Sequence, residues 1–278
     1  MKKRRIFNPS GPFGAIILAV VVLTAPATAD AAEMVGHKAI YSVQPGTFES
    51  ASDFTGVSGN MELVLENDCT GWTMSQTLQM NLQLANGGEL RQFHRFTGRE
   101  SRDGTRYDFF SSSRVGNNRE DFRGRAIMEG PGGPGNVVFR IPEGKKIPLP
   151  EGAKFPLGHM TFLIDRAQAG ERLAAAIVFD GADDGGAQEV TAFIGRKQLA
   201  RDVIGEDRVK ALGALVEGSG WNIRMAFYKL EAQAAVPEYE VEALQLDNGV
   251  TPWLLLDYHD FSVVLKMNKL EEIPLPKC

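Results

Sequence analysis

The chain has only two cysteines among 278 residues, and no CxxC joins them, so a dithiol exchange motif is absent. Its four histidines, His37, His94, His159 and His259, form no HExxH and no close pair. Metal-ligand spacing is therefore missing, and neither a metal nor another cofactor is expected. Positive charge is also short, with 30 Lys and Arg against 35 Asp and Glu, which argues against a surface built for a phosphate backbone and so against a nucleic-acid partner. Past the N-terminal segment no apolar run approaches the roughly 20 residues that span a bilayer, so the mature chain is expected to have no transmembrane segment.

What is present begins with MKKRRIFNPSGPFGAIILAVVVLTAPATADAA. Lys2, Lys3, Arg4 and Arg5 precede an apolar stretch from Phe13 to Leu23 that is too short for a stable anchor, and Ala27-Thr28-Ala29 supplies a small-residue cleavage pattern. Residues 1–29 are read as a secretory signal peptide cut before Asp30, with export by the general secretory route. No cysteine precedes Cys69, so there is no lipobox, and a soluble protein beyond the inner membrane is expected. Residues 1–29 carry four cations and no acid, so their removal takes the net charge from −5 to −9. Residues 30–278 are read as one domain, long enough to bury a core without depending on disulfides.

The clearest pattern is WTMSQTLQMNLQLANGG. Trp72, Met74, Leu78, Met80, Leu82 and Leu84 share one parity, interrupted only by Gln76, and polar residues fill the other. That period of two predicts one long strand with an apolar and a polar face, turning at Asn86-Gly87-Gly88 into a partner over 90–97. Shorter strands are expected at 37–43, 61–66, 107–110, 137–141, 174–179, 189–194 and 221–229. A last hairpin is expected to pair 239–246 with a single strand over 253–266 through Asp247-Asn248-Gly249. GHMTFLIDRAQAGE predicts a helix, and 201–212 a further helical turn. The fold class is mainly β, a predominantly antiparallel sheet with one or two short helices.

Chemical motifs are weak. GPGGPG, Gly130–Gly135, spells the dinucleotide string, yet its prolines remove amide donors and a strand follows where a phosphate-binding helix is required. DGADDGGAQEVT starts like a calcium loop but places Thr191 where the bidentate Glu belongs. Asp257, His259 and Asp260 come closest to a catalytic group, Asp257 and His259 being expected on one strand face, but no nucleophile is evident to complete them. A hydrolase acting on envelope material through these three is the alternative functional reading. In an exported chain the even cysteine count favours a disulfide between Cys69 and Cys278, with two free thiols or an intermolecular bond as alternatives. Pro274 and Pro276 cannot donate to a ladder, so the tail past Glu272 is expected to lie outside the sheet.

Several stretches resemble the envelope integrity protein B (EipB) family of alphaproteobacterial periplasmic proteins, long catalogued as a domain of unknown function. They are HKAIYSV, NDCTGW, IPLPEGAKFPLGHM, PEYEVEALQLDNGV, LLLDYHDFSV and the terminal Cys278. The resemblance implies a single-domain antiparallel β-spiral, or partly open β-barrel, closed by a disulfide between Cys69 and Cys278. It also implies a periplasmic, non-enzymatic role in envelope homeostasis and stress resistance, with a tetratricopeptide-repeat protein as partner. It supplies no catalytic residues. Two fates remain for the apolar face of Trp72, Met74, Leu78, Met80, Leu82 and Leu84: ordinary core if the spiral closes, or a groove for a lipid or lipoprotein segment if it does not.

Overall fold

A computed structural model describes residues 34–230 and 235–278. The expected signal segment and its expected cleavage site before Asp30 lie outside the described residues. One antiparallel sheet of 14 strands accounts for most of the chain. Eight strands come first: β1 (His37–Phe48), β2 (Phe54–Asn67), β3 (Gly71–Leu84), β4 (Glu89–Ser101), β5 (Arg106–Val115), β6 (Asn118–Met128), β7 (Gly135–Ile141) and β8 (Lys146–Leu149). Helix α1 (Pro156–Gln168) separates them from β9 (Leu173–Val178) and β10 (Gln188–Leu199). Two short helices, α2 (Ala200–Ile204) and α3 (Glu206–Leu212), lead to β11 (Ser219–Lys229), β12 (Tyr239–Leu246), β13 (Trp253–Asp257) and β14 (Phe261–Glu272).

The strand order runs from β8 back to β1, crosses to β14 and continues back to β9. Every neighbouring pair is consecutive in the chain except β1 and β14, which join the two meanders with His37 opposite Glu272 and Phe48 opposite Phe261. The two edges, β8 and β9, do not pair. The segment after β8 instead lies along β9: the Lys154 amide donates to the Ile177 carbonyl (2.8 Å) and the Phe179 amide to the Lys154 carbonyl (2.9 Å). A sheet coiled until one end runs beside the other is the partly open β-spiral that the family resemblance implies, and its β9 edge is covered by backbone from the other end.

Four clusters fill the coil. The largest joins β1, β2 and the second half of β3 to β12, β14 and the α2–α3 segment, with Tyr41, Leu244, Leu246 and Leu265 fully buried. An aromatic cluster of Tyr107, Phe109, Phe139, Phe155 and Phe179 fills the curl of β4 to β8. Tyr107 crosses directly over Gly98, where a Cβ would stand 2.5 Å from the phenol oxygen, so only glycine fits there. A third cluster packs Leu163, Ile164 and Ala167 of α1 on β10 and β11, and a small fourth one holds Met34, Leu65 and Leu157.

The long strand and its partner occur with small extensions, as β3 and β4, and both expected helical segments form. The single strand expected over 253–266 does not. Strand β13 stops at Asp257, and the chain turns through His259 at φ 74° before β14 begins at Phe261. The Asp257 carboxylate accepts the His259 backbone amide at 3.0 Å, which holds that left-handed turn. β6 and β8 had no counterpart among the expected strands.

Candidate functional site

Cys69 is bonded to Cys278 across 209 positions. The Asn67–Thr70 turn presents the first cysteine: the Asn67 side chain accepts the Cys69 amide (2.8 Å), and Cys69 takes φ 68°. Arg99 of β4 braces the same turn through Asp68 at 2.7 Å, and this charge-assisted pairing holds the Asp68 carboxyl down at about 2. The tail leaves the sheet at Glu272, after which the Ile273 amide makes one further bond to the Gly36 carbonyl, 2.8 Å. The disulfide then seats Leu275, Pro276 and Cys278 as one wall of a cleft of about 760 Å³. Trp72, the rim residues Arg102 and Asp103, and Thr161, Phe162 and Asp165 of α1 form its other sides.

Glu100 stands at the base of that cleft and is 6% exposed. Helix α1 begins after Phe155, which offers no side-chain cap, and has Pro156 in its first turn. The missing cap comes from the sheet: the Glu100 carboxylate accepts the Leu157 amide at 3.0 Å and the Gly158 amide at 2.9 Å. Gly158 permits this approach, since a Cβ there would lie 2.9 Å from the carboxylate oxygen. Burial pushes the Glu100 carboxyl up to about 7, against the opposing pull of the two amides and Lys154. Glu100 therefore positions α1 within the coil.

On the inner side of α1 lies a second, more apolar cavity of about 340 Å³. Met74 and Gln76 of β3 form one wall and Ile223, Met225 and Phe227 of β11 another. Val241 and Ala243 of β12 continue it, and α1 roofs it with His159, Met160 and Leu163. Asp180 and Tyr239 add polar atoms. A row of rings leads outward from the wall: Phe227 stacks on Tyr239 at 4.5 Å, Tyr239 neighbours Tyr258 at 6.4 Å, and Tyr258 stacks on Phe261 at 5.1 Å. Tyr258 is 37% exposed, so the row reaches the surface.

The parity of β3 thus divides along its length. Leu78, Met80 and Leu82 are buried in the largest core, with Leu84 half-buried at the strand end. Met74 faces the cavity and Trp72 the cleft. Gln76, the single polar break in the apolar face, lines the cavity, so the interruption marks where packed core gives way to open space. Asp257, His259 and Asp260 occupy the turn between β13 and β14: Asp257 holds a backbone amide, and the His259 ring meets the Pro237 carbonyl at 2.8 Å. Asp257 and His259 therefore do not share a strand face, and their side chains are engaged with backbone. Among the described residues no three His, Cys, Asp or Glu side chains gather as a metal site, and no helix is long and apolar enough to cross a membrane.

Sequence reasoning missed Glu100 and His159 as members of a site. No local signal links Glu100 to α1, since only the sheet register brings them together. His159 is legible only as an apolar-face position of the expected helix.

A family model described as EipB-like matches residues 28–274. The chain is 27% identical over 251 residues to the cell envelope integrity protein EipB of Brucella abortus, covering 89% of this chain and 87% of that protein. It also superposes on the crystal structure of a beta-barrel-like protein of a domain of unknown function from Brucella abortus. That match has a TM-score of 0.80 and 25% identity, and covers 88% of this chain and all of the other.

Proposed function

The chain belongs to the EipB-like family, and on that footing we propose that it maintains cell envelope integrity from the periplasm, as a non-enzymatic protein that works by binding. The name of the Brucella relative supports the envelope role. The observation that carries the binding reading is the cavity of about 340 Å³ roofed by α1 and walled chiefly by apolar side chains, a size and lining suited to a small apolar ligand. A lipid or a lipoprotein segment is the occupant in this reading. The cleft under the disulfide-tied tail, larger and more polar, is the surface offered to a protein partner of the tetratricopeptide-repeat kind.

Complementation in cells lacking the native copy tests the proposal. Wild type and His259→Ala are expected to restore survival under envelope stress equally. Ala243→Phe, which drives a ring into the cavity from β12, is expected to fail while accumulating to normal levels. Loss of rescue by His259→Ala with intact folding would overturn the binding reading in favour of hydrolysis, and full rescue by Ala243→Phe would remove the cavity from the function.

A further inference from the structure

The roof of the cavity carries a polar side chain that faces the open space. His159 is 7% exposed and lines the cavity beside Met160 and Leu163. No side chain or carbonyl among the described residues hydrogen-bonds its ring, and burial, aided by Lys154, pushes the imidazole down to about 4. Near neutral pH the ring is thus uncharged, with one nitrogen donating and the other accepting. The ring nitrogens are not sealed in the fold, since Asn222 Oδ1 is the buried side-chain polar atom without a partner among the described residues, so a molecule in the cavity can reach them. Gln76, across the cavity on β3, likewise has no side-chain hydrogen bond among the described residues while facing the same space.

Water alone fits this space poorly. Met74, Leu163, Ile223, Met225 and Val241 on its walls give water in it few partners. A flexible chain of about ten carbons occupies a comparable volume and matches these walls. The charge of its head follows from the lining, which holds no Lys or Arg. Asp180 faces the space, with burial raising its carboxyl and one oxygen already accepting the Ala182 amide at 2.9 Å. A hydroxyl head can both donate to and accept from the uncharged His159 ring, whereas an anionic head would meet the Asp180 carboxyl with no Lys or Arg in the lining.

We infer that this cavity is a binding site for a single-chain amphiphile of about ten carbons with an uncharged, hydroxyl-bearing head, whose head pairs with His159 and whose chain lies along β11 and β12. The inference rests on the binding reading given above and specifies its ligand. The test uses the mature chain with 1-decanol as probe, monitored by the ring signals of isotopically labelled histidine and by displacement of the uncharged dye N-phenyl-1-naphthylamine. Decanol is expected to shift the His159 signal saturably and to leave those of His37, His94 and His259 in place. Ala243→Phe is expected to weaken binding at least tenfold. His159→Phe, which keeps the volume but removes the head's partner, should weaken it about tenfold, the scale of one hydrogen bond.

A wild-type protein whose His159 signal does not respond would overturn the assignment, as would undiminished affinity in both variants. Tighter binding of decanoate or decylammonium than of decanol would overturn the uncharged head. Should decanol not bind while Ala243→Phe still fails to restore envelope-stress survival, the ligand assignment falls and the broader binding reading stands.

Discussion

The two ends of β3 face different interiors. Around its second half, Leu78, Met80 and Leu82 meet Leu244, Leu246 and Leu265 under the α2–α3 cap, a closely packed aliphatic core. Around its first half, Met74 and Gln76 face a cavity, Trp72 faces a cleft, and the buried groups nearby include Glu100 and His159. The same strand, in the same register against β2 and β4, changes from core to site within three residues. The difference lies in what covers it. Aliphatic side chains from the α2–α3 segment fill the space over the closed half, whereas α1 is held over the open half by the Glu100 carboxylate and by its packing on β10 and β11, leaving room beneath.

That contrast is sharpened first at the tail. Cys278→Ser removes a bond that closes a loop of 209 positions, for which the chain-entropy model gives roughly 5 kcal/mol. Urea unfolding should show a loss of this order, and proteolysis should trim the tail from Ile273 onward. Next come paired truncations of the two halves. Leu265→Ala, in the fully buried core, is expected to cost about 4 kcal/mol, while Met225→Ala on the cavity wall should cost about 1 kcal/mol, because its neighbours already leave open space on one side. Equal losses in the two variants would erase the distinction between closed and open halves.

Glu100 gives the open half a pH dependence of its own. Its carboxyl titrates at about 7 in the folded protein against an ordinary 4.5, so below 4.5 both states hold the proton and the stabilisation is complete. As pH rises from 4.5 to 7 the unfolded state ionises first, and stability should fall by up to about 3 kcal/mol. Glu100→Gln keeps a neutral acceptor for the α1 amides and should flatten this slope when urea unfolding at pH 5 and pH 7.5 is compared. The smallest effect is expected at His259→Ala. Its exposed ring meets only the Pro237 carbonyl, so the melting curve should move by no more than about 0.5 kcal/mol.

The closed half was legible in the sequence because period-two alternation reports burial on one side of a strand. Leu78, Met80 and Leu82 were visible as an inward face in that way. The tail was equally legible, through Pro274, Pro276 and the single intramolecular partner available to Cys278. β6 escaped notice because Asn118, Arg119 and Glu120 are exposed, so no apolar alternation marks its beginning. β8 is only four residues long and contains Pro148. The break at His259 was hidden by a run of strand-forming residues on both sides, since nothing in the residue type demands a left-handed turn. The site itself was the least legible part. Glu100 and α1 are 57 positions apart, and the fold joins them only through strand order. Gln76 interrupted the apolar pattern, but the cavity that explains it requires β11, β12 and α1 to be in place.

The most direct test of the open half is native mass spectrometry of the protein purified from its own cells without detergent. The wild type should carry one additional mass, corresponding to a single-chain uncharged amphiphile, which Ala243→Phe lacks. A wild-type spectrum containing only the bare polypeptide, or the same added mass on both proteins, would contradict the cavity as a binding site.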